Sequence, residues 1–305
     1  MQITRRQTLL AGAALPFAGM LTQPIAATAQ EAPALMLPTH RDFAIGDVRV
    51  TTLLAGSRAG DNPQETFGMN VSPEEFAAVS AANYISADRT RNFFTPVVVN
   101  TGAEVILFDT GLDAGGITAA LAAAGYAPAD ITHVVLTHMH GDHIGGLSDD
   151  AGTVTFPNAA YITGQTEYDN WAAAGNEGFD AKVRPFADRM TFLADGGSVT
   201  SGITAMALPG HTPGHMGYMI DRAGQQLAVL ADTANHYVWS LAHPDWEVRF
   251  DADKAAAAAT RRSVLGMLAA DRVPMVGYHM PFPAMGFVET RGDGFHWVPV
   301  SYQFM

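Results

Sequence analysis

The chain contains no cysteine. This excludes disulfides as a source of stability and removes thiolate from the available metal ligands, leaving imidazole and carboxylate. Positive charge is also scarce: 17 Lys and Arg stand against 30 Asp and Glu, and Lys182 and Lys254 are the only lysines. A formal net charge of −13 repels phosphate backbones and anionic bilayers, which argues against nucleic acid and against membrane-surface partners. Internal repeats are missing, and so is an uninterrupted apolar run of the roughly 20 residues that a bilayer crossing needs. The best approach to one, Leu9 to Leu21, is broken by Gly12, Pro16 and Gly19.

That broken run has another reading. Thr4-Arg5-Arg6-Gln7 precedes it and Ala27-Thr28-Ala29 follows as a small-residue cleavage site, which is the pattern of a secretory signal. Adjacent arginines point to the twin-arginine route, although Thr8 stands where that signal usually has Phe. The expected organisation is a signal peptide over 1–29, an Ala/Pro-rich arm over 30–42 and one domain over 43–305. The expected location is periplasmic or secreted, with no stable membrane association once the signal is gone. A homodimer stays open.

What is present is enough for a large core, since 48% of the residues are hydrophobic. Phe43 to Leu54 reads as two strands around Gly46-Asp47, followed by a long polar loop from Gly56 to Asn70 that carries Phe67. Ser72-Pro73-Glu74-Glu75 is a capping box that launches a helix. Pro96 to Val99, Val105 to Phe108 and Thr132 to Leu136 are apolar enough for buried strands, with an alanine-rich helix over about 117–124 between the last two. Further strands are expected at Ala160 to Ile162, Met190 to Leu193, Ile203 to Leu208, Gly217 to Ile220, Leu227 to Leu230, Met275 to Tyr278 and Phe295 to Val300. Helices are expected at Glu167 to Ala174 and Ala252 to Asp271. Two batches of strands with helices between and outside them predict two sheets packed face to face, with helices on both outer faces.

The densest chemistry is Thr137-His138-Met139-His140-Gly141-Asp142-His143-Ile144-Gly145-Gly146, directly after an apolar strand. Three imidazoles and a carboxylate in six residues cannot share one helix face, but a loop can bring them together, which suits a metal. Polar residues also recur just past later apolar runs: Pro209-Gly210-His211-Thr212-Pro213-Gly214-His215, Asp232-Thr233 and His279. Imidazole and carboxylate together suit zinc, with manganese, iron or cobalt as alternatives. Asp109, in an Asp-Thr-Gly turn after its own strand, could orient a ligand imidazole or simply form the turn.

In order, the segments H-x-H-x-D-H, G-H-T-P-G-H, A-D-T and G-Y-H resemble the metallo-β-lactamase superfamily, and the likeness runs from Phe43 to the C-terminus. The resemblance implies a four-layer αββα sandwich of two mixed β-sheets. It implies two divalent metal ions, one held by His138, His140 and His211, the other by Asp142, His143 and His279, with Asp232 bridging them. It further implies hydrolysis by a metal-bridging hydroxide, with Asp142 and Asp232 at the catalytic centre and His215 beside it in support.

Within that family, the absence of cysteine and the presence of Asp232 disfavour β-lactam hydrolysis. The shortage of Lys and Arg disfavours a thioesterase resembling glyoxalase II, which would have to grip glutathione carboxylates. Phe156-Pro157-Asn158-Ala159 and the tail from His279 resemble exported organophosphate hydrolases of the methyl parathion hydrolase type. N-acyl homoserine lactonases are the second match, but many of them carry Tyr where this chain has Asn235. The implied substrates are small neutral esters, lactones or phosphotriesters. Trp171, Phe179, Asn235, His236 and Phe67 are the expected pocket residues. A metal-binding protein without turnover is the alternative from outside enzymology.

Overall fold

A computed structural model describes residues 38–301. The expected signal peptide, and residues 30–37 of the expected arm, lie outside the described residues. The first half of the chain forms β1 His40–Ile45, β2 Val48–Leu53, β3 Gly56–Asp61, α1 Pro73–Ala82, β4 Arg89–Phe94, β5 Val97–Asn100, β6 Val105–Phe108, α2 Ala114–Ala123, β7 His133–Leu136, the single turn α3 Gly141–Ile144, β8 Ala160–Gly164, α4 Gln165–Ala174, α5 Glu177–Lys182 and β9 Met190–Leu193. The second half forms β10 Ser198–Thr200, β11 Ile203–Ala207, β12 Met216–Arg222, β13 Gln225–Ala231, α6 Lys254–Asp271, β14 Met275–Gly277, β15 Met285–Arg291 and β16 Gly294–Pro299.

These strands build two seven-stranded sheets, ordered β1-β2-β5-β6-β7-β8-β9 and β10-β11-β12-β13-β14-β15-β16. Both are mixed. The first is antiparallel through β6 and parallel from β6 to β9, and the second is antiparallel except for the β13–β14 pair. The period of two along each strand sorts the side chains between layers. Val97, Val99, Ile106, Phe108 and Val135 face the second sheet in one core with Tyr218, Leu227 and Val229. Their neighbours Val98, Leu107, Val134 and Leu136 face outward into another core with Ile117 and Leu121 of α2 and Phe179 of α5. On the opposite outer face, α6 packs against β15, and its Val264, Leu265 and Leu268 are buried on the second sheet. The result is the αββα sandwich, a member of the metallo-β-lactamase fold.

Local chemistry explains the helix starts. Ser72 caps α1 by accepting from the Glu75 amide, Asp113 caps α2 through Gly116, and Asp253 caps α6 through Ala256. Three details differ from expectation. Strand β1 begins at His40, inside the segment read as an arm, because pairing with β2 captures it. The first part of the 56–70 loop is a strand: β3 pairs with β4 in a separate two-stranded ribbon over the site. Finally, Asp142 and His143 stand on the helical turn α3 rather than on an irregular loop.

Candidate metal centre

The site is built where loops from the two sheets meet. His138 and His140 follow β7, and Asp142 and His143 lie on α3 just beyond. From the second sheet come His211 after β11, Asp232 after β13 and His279 after β14. Close backbone approach lets the loops converge. A Cβ on Gly214 would sit 2.1 Å from the Glu167 nitrogen, and one on Gly210 would sit 2.2 Å from that of Ala257, so no larger residue fits at either place. Ala231 is held at φ 45, a costly conformation for alanine, and it turns Asp232 out of the strand into the cluster.

Donor atoms of His138, His140, His211 and Asp232 all lie within 4.8 Å of one another, and so do those of Asp142, His143 and His279. Asp232 joins the two groups. Its Oδ1 is 3.2 Å from His143 Nε2, and its Oδ2 is 3.3 Å from His211 Nε2 and 3.1 Å from His279 Nε2. His279 Nε2 also lies 3.4 Å from Asp142 Oδ2. On the other side, His140 Nδ1 is 3.1 Å from His138 Nε2 and 3.0 Å from His211 Nε2.

Hydrogen bonds behind the rings decide what these nitrogens are. A carboxylate or carbonyl oxygen only accepts, so the ring nitrogen facing it carries the proton. His143 Nδ1 donates to Asp109 at 2.8 Å, His211 Nδ1 to Asp251 at 3.0 Å and His279 Nδ1 to the Phe93 carbonyl at 2.8 Å. The Thr137 hydroxyl donates to Asp109, which leaves its oxygen to accept from His138 Nδ1. When these four rings are neutral, each therefore turns an Nε2 lone pair towards Asp232 or towards another imidazole. Acceptors that close repel one another unless a cation lies between them. His143 Nε2 and Asp232 Oδ1 are buried with no hydrogen-bond partner, which is the signature of atoms meant for something else.

The electrostatics carry the same message. Burial pulls His138 well below its ordinary value, and the imidazoles of His143 and His140 add to the effect. His140 falls to about 4, first through burial and then through His211. Burial is the largest influence on His143 and His279 and opposes a proton there, but the carboxylates together outweigh it and raise both, Asp232 and Asp142 at each and Asp109 at His143. Burial would raise Asp232 itself, yet His279 and His143 hold it well below the usual carboxylate range. The donor set, neutral imidazole with carboxylate and no sulfur, fits divalent ions of the zinc type.

The supporting groups divide into those expected and those missed. Asp109, at φ 60, accepts from the Thr137 amide and hydroxyl and holds His143, so it does far more than form a turn. His215 is fully buried, and its Nε2 accepts from the Asp232 amide at 3.2 Å. Glu167 gave no warning in the sequence, where an acid in the first turn of a helix reads as ordinary dipole pairing. It is buried, and it accepts from the Met139 amide, the Thr212 hydroxyl and the Gly214 amide, tying the first sheet's metal loop to the second's. Asp251 and Arg261 were missed as well. Arg261 lies in the apolar stripe Ala257, Arg261, Val264, Leu265, Leu268 of α6, and a lone charge at that spacing was the available signal.

Beside the cluster opens a cavity of about 410 Å³ lined by Phe67, Phe94, Leu112 and Phe250, with His140, Asp142, Asp232, Asn235 and His279 at the metal end. Phe67 and Asn235 thus stand where they were expected. Three other pocket residues do not. Phe179 is fully buried in the outer core against Tyr168, because its strand-facing position on α5 is an apolar packing site. Trp171 stands perpendicular to His140 with ring centroids 5.6 Å apart but does not line the cavity. His236 stacks on Trp239 behind Phe67, in the small core beneath the 56–70 segment.

Residues 95–276 match the family model of the metallo-beta-lactamase superfamily, and the chain belongs to that superfamily. Among curated relatives, it is 30% identical over 135 residues to the uncharacterized protein YobT of Bacillus subtilis (strain 168), covering 41% of this chain and 56% of that one. It is 30% identical over 113 residues to the N-acyl homoserine lactonase AttM of Agrobacterium fabrum, covering 32% of this chain and 39% of that one. The alignments thus span between two fifths and just over half of these relatives' length. Among solved structures, AidC, a dizinc quorum-quenching lactonase in complex with a product, superposes with a TM-score of 0.79 at 26% identity, covering 86% of this chain and 98% of that one. The hydrolase AbOPH superposes with the same TM-score at 23% identity, covering 88% and 99%, and shows the shared fold.

Proposed function

We propose that the protein is a metal-dependent hydrolase of small lactones or esters, working with two divalent ions. His138, His140 and His211 would hold one ion, Asp142, His143 and His279 the other, and Asp232 both. The observation that carries this reading is the convergence of four fixed Nε2 lone pairs on Asp232. When bound, such ions acidify water and polarise the oxygen of the bond under attack. The residues of the chain supply the rest. Phe67, Phe94, Leu112 and Phe250 would bind the apolar part of the substrate and exclude water from around the reacting bond. Asp142 lines the cavity and is partly exposed, and its carbonyl is fixed by the Tyr278 hydroxyl. Its carboxylate would take the proton of the attacking water and pass it to the leaving oxygen.

AidC's likeness supports lactones as the first substrates to try. A second reading has an observation of its own. At the position of the lactonase tyrosine, Asn235 spends its amide on Asp232 Oδ2 at 2.9 Å, and no tyrosine among the described residues lines the cavity. An alkoxide needs a proton to leave and a nitrophenolate does not, so aryl esters and aryl phosphotriesters, substrates of the methyl parathion hydrolase type, are the alternative. Export to the periplasm belongs to the same proposal, supported by Arg5-Arg6 and Ala27-Thr28-Ala29.

The test is to purify the chain and measure metal per molecule. Rates are then compared on an acyl homoserine lactone, an aryl ester, an aryl phosphotriester, a β-lactam and a glutathione thioester. Asp232→Ala should lose metal and at least about a hundredfold of turnover together. An Asp232→Ala protein that turns over at the wild-type rate without metal would end the proposal.

A further inference from the structure

One wall of the cavity differs from the rest. Arg58 on β3 and Asn92 on β4 are directly paired across the ribbon, which puts their side chains on the same face, and both line the cavity. Arg58 is the one Lys or Arg to do so among the described residues. Its neighbours on the ribbon are already engaged, Arg89 with Asp61 and Arg91 with the Ser57 hydroxyl. Arg58 is exposed and has no hydrogen bond or ion pair within the described chain, and the Asn92 side chain has none either. Apart from this pair and the residues at the metal end, the cavity is lined by Phe67, Phe94, Leu112 and Phe250.

We propose that Arg58 and Asn92 form a recognition point for a carboxylate at the end of the substrate remote from the bond that is cleaved. The preferred substrates would then be esters or lactones with an anionic terminus, rather than the neutral ones that the family resemblance implies. The proposal rests on the hydrolase reading above. Its physical logic is local charge. A chain at −13 repels anions, so an anionic substrate needs a positive group at the cavity wall, and a guanidinium beside an amide offers a planar set of donors. The aromatic stretch between the two ends would hold a short aliphatic spacer. A neutral substrate would leave Arg58 in water and gain nothing from it.

Three aryl esters of matched length separate the cases: the pentanoate, the hemiglutarate and the 4-(trimethylammonio)butyrate, measured at low ionic strength. The wild type should favour hemiglutarate over pentanoate in kcat/KM by about tenfold or more. Arg58→Ala should erase that ratio, and Arg58→Glu should shift preference to the cationic ester. Salt should shrink the wild-type ratio, because the contact is partly exposed. A wild type that prefers the pentanoate, or variants that leave the ratios unmoved, would overturn the proposal. Calorimetric binding of glutarate against pentanoate to the metal-loaded protein makes the same comparison without turnover. Absent hydrolysis would therefore count against the proposed function while this inference is still decided by binding.

Discussion

At the residue scale, His236 shows how burial can make one imidazole control the pH response of stability. Its ring stacks on Trp239, and its Nδ1 accepts from the amides of Val238 and Trp239 at 3.1 and 3.2 Å. Both bonds require an unprotonated Nδ1, and burial pulls the group down to about 3 from 6.5. The folded state therefore keeps His236 neutral, while the unfolded chain takes up a proton below pH 6.5. Its contribution to stability is fully present above that pH and is lost at about 1.4 kcal/mol per unit as the pH falls towards 3. Between pH 6.5 and 5 the loss amounts to about 2 kcal/mol. In His236→Asn, an amide oxygen can accept the same two bonds but nothing titrates, so urea unfolding at pH 7.5, 6 and 5 should show a shallower decline than the wild type. Parallel declines in the two proteins would mean that His236 is not the group responsible.

At the element scale, α6 carries the most consequential feature that the sequence did not announce. Its apolar stripe was legible, and the strands from β5 to β8 were legible for the same reason: long apolar periodicity survives any tertiary context. The ribbon of β3 and β4 was not, because Gly56-Ser57-Arg58-Ala59-Gly60-Asp61 has no alternation and becomes a strand only through its partner. Within α6, Arg261 is fully buried and donates to Asp251 Oδ2 at 2.8 Å, and to the carbonyls of Pro244 and Trp246. Asp251 passes the constraint on to His211 through its other oxygen. Removing one partner of a buried pair leaves the other uncompensated, so Arg261→Met should cost about 3 to 5 kcal/mol in urea unfolding. Asp251→Asn keeps the shape but leaves the buried Arg261 charge unpaired, so it should destabilise as well, and by loosening the His211 ring it should weaken metal binding by roughly 10- to 100-fold. Competition with a chelating dye measures that directly. Metal affinity unchanged in Asp251→Asn would show that His211 is positioned by packing alone.

At the scale of the whole molecule, the seven ligand candidates were legible in the sequence because each follows an apolar run, where chemistry-bearing residues have little structural reason to be. What joins them was hidden. Glu167 acts across the two halves, and Asp251 and Arg261 act between α6 and the loop of His211, contacts that leave no local pattern. The consequence is that a metal held by these residues would cross-link the sheets: His138, His140, Asp142 and His143 come from the first, and His211, Asp232 and His279 from the second. An ion that binds only the folded state at about 100 times its Kd adds about 2.7 kcal/mol, which in a domain of this size corresponds to a Tm higher by roughly 5 to 10 °C. Chelation should lower Tm by that amount while far-UV dichroism below the transition stays unchanged, since neither core contains a ligand. Amide exchange should locate the loss. In the metal-free protein, protection should fall together in the loops after β7, β11, β13 and β14, because removing the ion releases both sheets' loops at once. Loss confined to the loops of one sheet would mean that the metals are held by that half alone, with the apposition of the other supplied by Glu167 and packing.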